Sequence, residues 1–159
     1  MYNIILYMEK KITKNNNDNM SIFLEKCQEN NLKITPQRIA IYKELIRSKD
    51  HPSADVIYRK LTRKFPNISL DTVNRTLITF AEIGIAGIVE GSGSPKRFDP
   101  NMVNHHHFRC TKCGTIIDFR YELYDNIEIP EEIQRQTTIL TKRVVLEGYC
   151  NNCDKIRLL

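Results

Sequence analysis

Four of the five cysteines in the chain form two pairs with the same spacing. The pairs are Cys110-x-x-Cys113 and Cys150-x-x-Cys153, and each lies where a strand is expected to end in a turn. Four thiolates from two such loops suit a closed tetrahedral zinc site, which leaves no coordination position for a substrate. The spacing therefore predicts a structural zinc ion that fastens the C-terminal strand to the fold. The alternative is four ordinary cysteines, which could be redox-active.

Three of the four histidines are consecutive and suggest a second metal site. On a strand, His105 and His107 point to the same face, whereas His106 points to the other. Three further candidate ligands lie elsewhere in the chain: Asp99, Asp118 and His51. Imidazole nitrogens with carboxylate oxygens suit Fe(II), Mn(II) or Zn better than thiolates do. The alternative is a solvated histidine run beside ordinary surface carboxylates.

The composition indicates a globular protein with a polyanionic partner. Its 159 residues are 41% hydrophobic and carry a formal net charge of +5. The positive excess lies in residues 21–97, whereas residues 98–159 are close to neutral, so a polyanion would bind the first part. No apolar run approaches the roughly 18 residues of a membrane span. The N-terminal residues lack the features of a signal peptide, which predicts a reducing, cytoplasmic location and favours bound metal over disulfides.

Residues 1–20 are expected to be a disordered N-terminal extension because residues 9–20 are polar and rich in asparagine. Four helices and a hairpin are predicted within residues 21–100. The helix starts carry the capping residues Ser21, Thr35 (followed by Pro36), Ser53 and Ser69. Gly84 ends the fourth helix, and the hairpin turns near residues 91–94. This order is that of a winged helix-turn-helix domain, in which the helix before the hairpin enters the DNA major groove.

Residues 101–159 predict a smaller mixed unit. Strands are expected in "HFRC", "TIIDFR", the long segment "TILTKRVVLEGYC" and a closing "DKIRLL", with a short helix in "PEEIQRQTT". A unit of this size buries little core, so a metal ion or a dimer interface would have to stabilise it. The predicted fold class is α+β: a winged-helix DNA-binding domain followed by a small α/β dimerisation and metal-binding domain.

Six segments of the chain resemble, in order, the motifs of the ferric uptake regulator (Fur) family. They are "LKITPQRIAIYKEL", "HPSADVIYRKL", "FPNISLDTVNRTL", "GIVEGSGSPKRFD", "HHHFRCTKCGTIIDF" and "GYCNNC", and together they span about residues 21–156. The resemblance implies a homodimeric repressor, not an enzyme, that binds an A·T-rich palindromic DNA operator. It also implies the four-cysteine zinc site and a separate metal-sensing site.

The chain is most similar to the peroxide-sensing (PerR) branch of that family. It has aspartate at positions 99 and 118, where iron-sensing members typically have glutamate. The resemblance implies a regulatory Fe(2+) or Mn(2+) site with one open position and these ligands: His51, Asp99, His105, His107 and Asp118. In this branch, peroxide reacts at Fe(II) and oxidises the histidines that match His51 and His105. His106 replaces the carboxylate of an additional site found in many Fur proteins, so two metals per subunit are expected.

The resemblance also identifies candidate DNA contacts. On the predicted recognition helix these are Ser69, Thr72, Asn74 and Arg75, and on the wing they are Lys96 and Arg97. The family usually has a tyrosine where this chain has Asn74. Asparagine could pair with an adenine edge instead, or could simply be solvated, as could the wing cations.

Other functions remain open on the sequence alone. An iron- or zinc-responsive repressor of the Fur or Zur type would use the same residues without peroxide chemistry. A hydrolytic metal site would need a general base, and the four histidines are almost all assigned as ligands. A plain zinc-ribbon interaction module would leave His51, Asp99 and Asp118 without a role. Cys27 has the helical spacing of a core residue and is expected to be a buried small hydrophobe.

Overall fold

The computed structural model describes residues 16–48, 50–89 and 95–154, which form two compact units. The described residues up to Met102 form the first, here called the helical unit, and those from Val103 onward form the C-terminal unit. Among the described residues, no helix is both long and apolar enough to cross a membrane. The combination of helices and sheets confirms the predicted α+β class.

Four helices followed by a two-stranded hairpin make up the helical unit. They are α1 (Asn16–Glu29), α2 (Pro36–Arg47), α3 (Ala54–Leu61) and α4 (Leu70–Glu82), with β1 (Gly87–Ile88) and β2 (Phe98–Asp99). The strands are antiparallel, with Gly87 opposite Asp99 and Ile88 opposite Phe98. This is the predicted winged helix-turn-helix order. The predicted turn near residues 91–94 lies outside the described residues.

Local side-chain chemistry sets the helix boundaries. Thr35, Ser53 and Ser69 each accept a hydrogen bond from a backbone N–H three residues later, as N-caps do. Gly84 follows α4 with φ +73°, a conformation that glycine adopts without steric cost. These boundaries agree with the prediction.

The start of α1 differs from the prediction. The helix begins at Asn16, so residues 16–20 are helical and Ser21 lies inside the helix instead of capping it. The Tyr42 hydroxyl donates a hydrogen bond to the Asn19 carbonyl oxygen at 2.9 Å, and Met20 packs against the core. These tertiary contacts stabilise a turn whose polar composition favours disorder. The other residues of the predicted extension, 1–15, lie outside the described residues.

An aromatic cluster lies at the centre of the helical unit. The Phe23 ring stacks on that of Tyr42 at a centroid distance of 4.6 Å and meets the Phe80 ring edge-on at 5.7 Å. Cys27 is fully buried in the same core, as expected for a small hydrophobe. Burying one large apolar side chain stabilises a fold by about 1.5–3 kcal/mol. This core packs α1, α2 and α4 together, and Phe98 of the hairpin is buried in it as well.

A three-stranded sheet organises the C-terminal unit. Its elements are β3 (His106–Cys110), β4 (Ile116–Phe119), α5 (Glu122–Asp125), α6 (Glu131–Gln136) and β5 (Val145–Gly148). β3 is central, pairing antiparallel with β4 and parallel with β5. The short helix α5 was not predicted.

The long strand predicted from "TILTKRVVLEGYC" is wrong in extent, because only Val145–Gly148 is strand. The Val144 N–H donates to the His106 ring nitrogen Nδ1 at 3.2 Å instead of to a strand, and most side chains of residues 137–142 are exposed. The closing strand predicted from "DKIRLL" lies outside the described residues from position 155 onward.

Candidate metal centres and DNA-facing residues

The four paired cysteines lie together in the C-terminal unit. Their Sγ atoms all lie within 4.8 Å of one another, and the Sγ atoms of Cys113 and Cys150 are 3.7 Å apart. Four sulfurs that each lie about 2.3 Å from a tetrahedral zinc ion are about 3.8 Å from one another. The donor set and its spacing therefore fit a structural zinc ion with no open position.

The parallel pairing of β3 and β5 brings the two cysteine loops together. Cys110 ends β3 opposite Gly148, and the Thr111 N–H donates to the Gly148 carbonyl oxygen at 2.9 Å. The first loop turns back at Gly114, which has φ +71°. In the second loop, the Cys153 N–H donates to the Cys150 carbonyl oxygen at 2.8 Å. Each C-x-x-C pair is thus a tight turn that presents both thiols to the same point.

Hydrogen bonds and burial shift the pKa values of Cys110, Cys113 and Cys153 in different directions. The Cys150 N–H donates to the Cys110 sulfur at 3.4 Å, and this and other backbone donors lower the pKa of Cys110 to about 6. Hydrogen bonding with the side chain and backbone of Thr115 lowers the pKa of Cys113 as well. Burial, together with the neighbouring thiols, raises the pKa of Cys153 to about 12. A bound cation is therefore needed for Cys153 to be a thiolate near neutral pH.

His51 and Asp99 form a buried pair in the helical unit. His51 precedes α3 and Asp99 lies on β2, with His51 Nε2 3.7 Å from Asp99 Oδ2. Both side chains are at most 6% exposed. The other carboxylate oxygen, Oδ1, accepts a hydrogen bond from the Asn101 N–H at 2.8 Å, which fixes the orientation of the carboxylate. The pair offers one nitrogen and one oxygen donor.

His105, His107 and Asp118 form a second group, in the C-terminal unit. The Nε2 atoms of His105 and His107 are 2.9 Å apart, and His107 Nε2 lies 3.8 Å from Asp118 Oδ1. Asp118 is opposite His107 in the antiparallel register. Two imidazole nitrogens bound side by side to one octahedral ion at about 2.1 Å would be about 3 Å apart. The spacing of the pair therefore fits a shared metal ion.

A backbone contact orients one of these rings. His105 Nδ1 lies 2.7 Å from the Val103 carbonyl oxygen, which leaves Nε2 for a metal when Nδ1 carries the proton. Of the five predicted regulatory ligands, the helical unit thus brings together His51 and Asp99. The C-terminal unit brings together the other three, His105, His107 and Asp118.

His106 occupies the opposite face of β3 and is fully buried. Its Nδ1 accepts the Val144 N–H, so Nε2 carries the proton and points toward Asp125 Oδ1 at 3.4 Å. The same carboxylate oxygen accepts from Asn104 Nδ2 at 2.5 Å. The sequence did not predict this contact of Asp125, because only the unpredicted helix α5 brings the carboxylate to His106.

The candidate DNA contacts fall into two groups. Ser69, Thr72, Asn74 and Arg75 occupy the first turns of α4 or its cap, and the Ser69 and Thr72 hydroxyls are 2.8 Å apart. Asn74 is half-buried and Arg75 is 79% exposed, 3.9 Å from Asp71. On the wing, Lys96 is exposed, whereas the Arg97 guanidinium donates to the backbone carbonyl oxygens of Asp50 and His51.

Comparisons with known proteins agree with this fold. The model of the ferric uptake regulator family matches residues 29–149. The peroxide-responsive repressor PerR of Staphylococcus epidermidis is 42% identical over 124 residues, which are 78% of this chain and 83% of that protein. PerR of Staphylococcus saprophyticus is 40% identical over 127 residues, 80% of this chain and 86% of that protein.

Solved structures of related regulators share the fold. Fur of Vibrio cholerae matches with a TM-score of 0.62 at 27% identity, covering 79% of this chain and 98% of that one. Fur of Helicobacter pylori, described as having three functional metal-binding sites, matches with a TM-score of 0.73 at 24% identity, covering 87% and 93%. The chain belongs to the ferric uptake regulator family.

Proposed function

We propose that this protein is a metal-dependent, DNA-binding transcriptional repressor that senses hydrogen peroxide through oxidation of its own histidine ligands. The observation that carries the proposal is the donor set of three buried imidazoles and two aspartates, without a thiolate. Relatives about 40% identical to this chain are named peroxide-responsive repressors, which supports the same role here.

The regulatory ion is proposed to bind His51, Asp99, His105, His107 and Asp118 together. The helical unit offers one nitrogen and one oxygen, and the C-terminal unit offers two nitrogens and one oxygen. Neither set alone satisfies an octahedral Fe(II) or Mn(II) ion, whereas the five together leave one position open. Binding would then bias the chain toward a DNA-competent arrangement of the two units. Cys110, Cys113, Cys150 and Cys153 are proposed to hold a separate structural zinc ion.

Bound Fe(II) supplies the redox chemistry that activates peroxide, and Mn(II) does not. We propose that His51 and His105 each react with one peroxide molecule, with one oxygen atom entering the ring and the other leaving as water. An oxidised ring is a poorer ligand, so the bias toward the DNA-competent state is lost. Losing either ring would remove one of the five proposed donors.

The DNA is proposed to contact α4 and the wing. The helical unit carries the basic excess of the chain, and Asn74 and Arg75 lie on α4. An A·T-rich palindromic operator would match a homodimer. The C-terminal unit supports dimerisation because it exposes large apolar side chains, among them Leu123 at 65% and Leu140 at 88%.

The decisive experiment compares DNA binding of iron-loaded and manganese-loaded protein before and after a brief anaerobic pulse of peroxide. We expect only the iron form to release A·T-rich operator-like DNA, and peptides containing His51 or His105 to gain one oxygen. If both forms stay bound and no histidine is oxidised, the peroxide proposal fails. The protein is then an iron- or zinc-responsive repressor of the Fur or Zur type.

A further inference from the structure

The backbone at His51 has an unusual conformation. Its φ is +42°, and His51 and Asn31 are the two non-glycine residues with positive φ that the structure records. Few residues other than glycine adopt this region; asparagine, aspartate and histidine do so more often than the others, still at an energetic cost. The next residue is Pro52, which further restricts the backbone of the residue before it. The conformation of His51 therefore has to be held by its surroundings.

Arg97 supplies that support from the wing. Its Nε donates to the His51 carbonyl oxygen, and its Nη2 donates to the Asp50 carbonyl oxygen at 2.6 Å. The Phe98 N–H donates to the Pro52 carbonyl oxygen at 3.0 Å, and Ser53 forms a β-bridge with Arg97. The residues around His51 are thus fastened to the strand that carries Asp99, two positions after Arg97.

We infer that Arg97 is a positioning residue for the regulatory metal: it holds His51 where its imidazole and the Asp99 carboxylate can bind the same ion. This inference rests on the proposed function, since it takes His51 and Asp99 as ligands. The rigid guanidinium fork satisfies two successive carbonyl oxygens, a geometry that a lysine ammonium does not reproduce. Arg97 therefore acts through the ligand His51. The alternative role, in which Arg97 contacts a DNA phosphate from the wing, is one of the outcomes that the test distinguishes.

The same contacts connect the metal to the wing. Asp99 lies in β2, and His51 is hydrogen-bonded to Arg97, the residue just before β2. Strand β2 in turn continues from the wing of the DNA-binding fold. Preorganised ligands bind an ion more tightly because less conformational freedom is lost on binding. Loss of the Arg97 fork is therefore expected to weaken metal binding first, and DNA binding only as a consequence.

The test measures Mn(II) affinity of the full-length, zinc-containing chain by the electron paramagnetic resonance signal of free Mn(II). The variants are Arg97→Lys, which keeps the charge, and Arg97→Gln, which keeps an amide donor. Lys60→Gln is the matched control, since Lys60 is an exposed cation of α3 in the same unit and is neither a proposed DNA contact nor a proposed metal ligand. Removing the support of a metal ligand typically costs 10–100-fold in affinity, so we expect a loss of about tenfold or more in both Arg97 variants and none in Lys60→Gln.

Two further readouts separate positioning from general damage. The visible spectrum of Co(II) at the site is expected to change in Arg97→Lys, and saturating Mn(II) is expected to restore its DNA affinity to within about twofold, because its charge is retained. Circular dichroism and zinc content establish that each variant is folded. A purely structural role for Arg97 would leave the Co(II) spectrum of folded protein unchanged and would overturn the inference.

The remaining outcomes are distinct. In one outcome, both Arg97 variants bind Mn(II) with wild-type affinity, and Arg97→Gln binds DNA more weakly and with a shallower salt dependence. Arg97 would then be a phosphate contact, which would overturn the inference but not the proposed function. Unchanged Mn(II) affinity in Asp99→Ala, measured in parallel, would overturn the proposed function and the inference with it.

Discussion

The sulfur atoms of Cys113 and Cys150 lie 3.7 Å apart, although 36 residues separate the two loops that carry them. A tetrahedral metal site requires thiols from the two loops to lie this close together. Because the C-terminal unit has a small sheet and many exposed apolar side chains, a bound ion would contribute a large part of its stability.

Cys150→Ser is therefore expected to lose the structural zinc and, with it, the folded C-terminal unit. Zinc binding at structural sites is worth about 10–16 kcal/mol in small zinc-dependent folds, far more than a domain of this size can lose. Zinc content and sedimentation measure the result. Cys27→Ala is the control, because Cys27 is buried in the helical core and is not one of the four clustered cysteines. A stable, zinc-free dimer of Cys150→Ser would show that the ion is dispensable.

Asp99→Ala is expected to abolish metal-dependent DNA binding while leaving the fold intact. The variant removes a buried carboxylate whose Oδ2 faces His51, so Mn(II) affinity should fall by at least about tenfold. DNA binding is titrated with and without Mn(II). Asp55→Ala serves as the matched control, since Asp55 is a half-exposed carboxylate of α3 paired with Arg59. Normal metal-dependent binding by Asp99→Ala would mean that the regulatory ligands are misassigned.

His106→Ala is expected to destabilise the C-terminal unit without changing metal content. The substitution opens a cavity at a fully buried position and leaves the Val144 N–H without its acceptor, effects that together cost about 2–4 kcal/mol. Chemical denaturation followed by far-ultraviolet circular dichroism measures the loss. Two metals per subunit are expected in the wild type and in the variant. Three in the wild type and two in His106→Ala would instead identify His106 as a metal ligand.

The local features of the fold were predictable, and the long-range contacts were not. Thr35, Ser53 and Ser69 cap helices because their side-chain chemistry acts within three residues, and Gly84 ends α4 for a similarly local reason. The shared-face geometry of His105 and His107 follows from strand periodicity.

Other contacts depend on how distant segments meet. The Tyr42 hydroxyl bonds the Asn19 carbonyl oxygen in the unpredicted first turn of α1, and the Val144 N–H just before β5 bonds the His106 ring. The contact of His106 with Asp125 required a helix that the sequence pattern did not indicate. Arg97 was assigned to DNA from its place on the wing, whereas its bonds to the carbonyl oxygens of Asp50 and His51 appear only once β2 and the start of α3 are adjacent.

Asn74 and Arg75 are expected to contribute to DNA binding in different ways. If Asn74 contacts an adenine edge, Asn74→Ala should weaken the binding free energy by about 1–3 kcal/mol at an operator and by almost nothing on random DNA. If Arg75 contacts phosphate, Arg75→Gln should weaken binding to both DNAs equally and lower the salt slope by about 1. Titrations at several salt concentrations measure both effects.

The two variants have a matched control on the same element. Asp71 lies one helical turn before Arg75, and its carboxylate is 3.9 Å from the guanidinium, so the ion pair restrains Arg75 only weakly. The control variant Asp71→Asn removes an acidic charge and should therefore raise the affinity for both DNAs slightly. Equal losses on operator and random DNA for Asn74→Ala would mean that Asn74 reads no base. Specificity would then have to come from other α4 residues or from the shape of the A·T-rich duplex, whose narrow minor groove attracts basic side chains such as those of the wing.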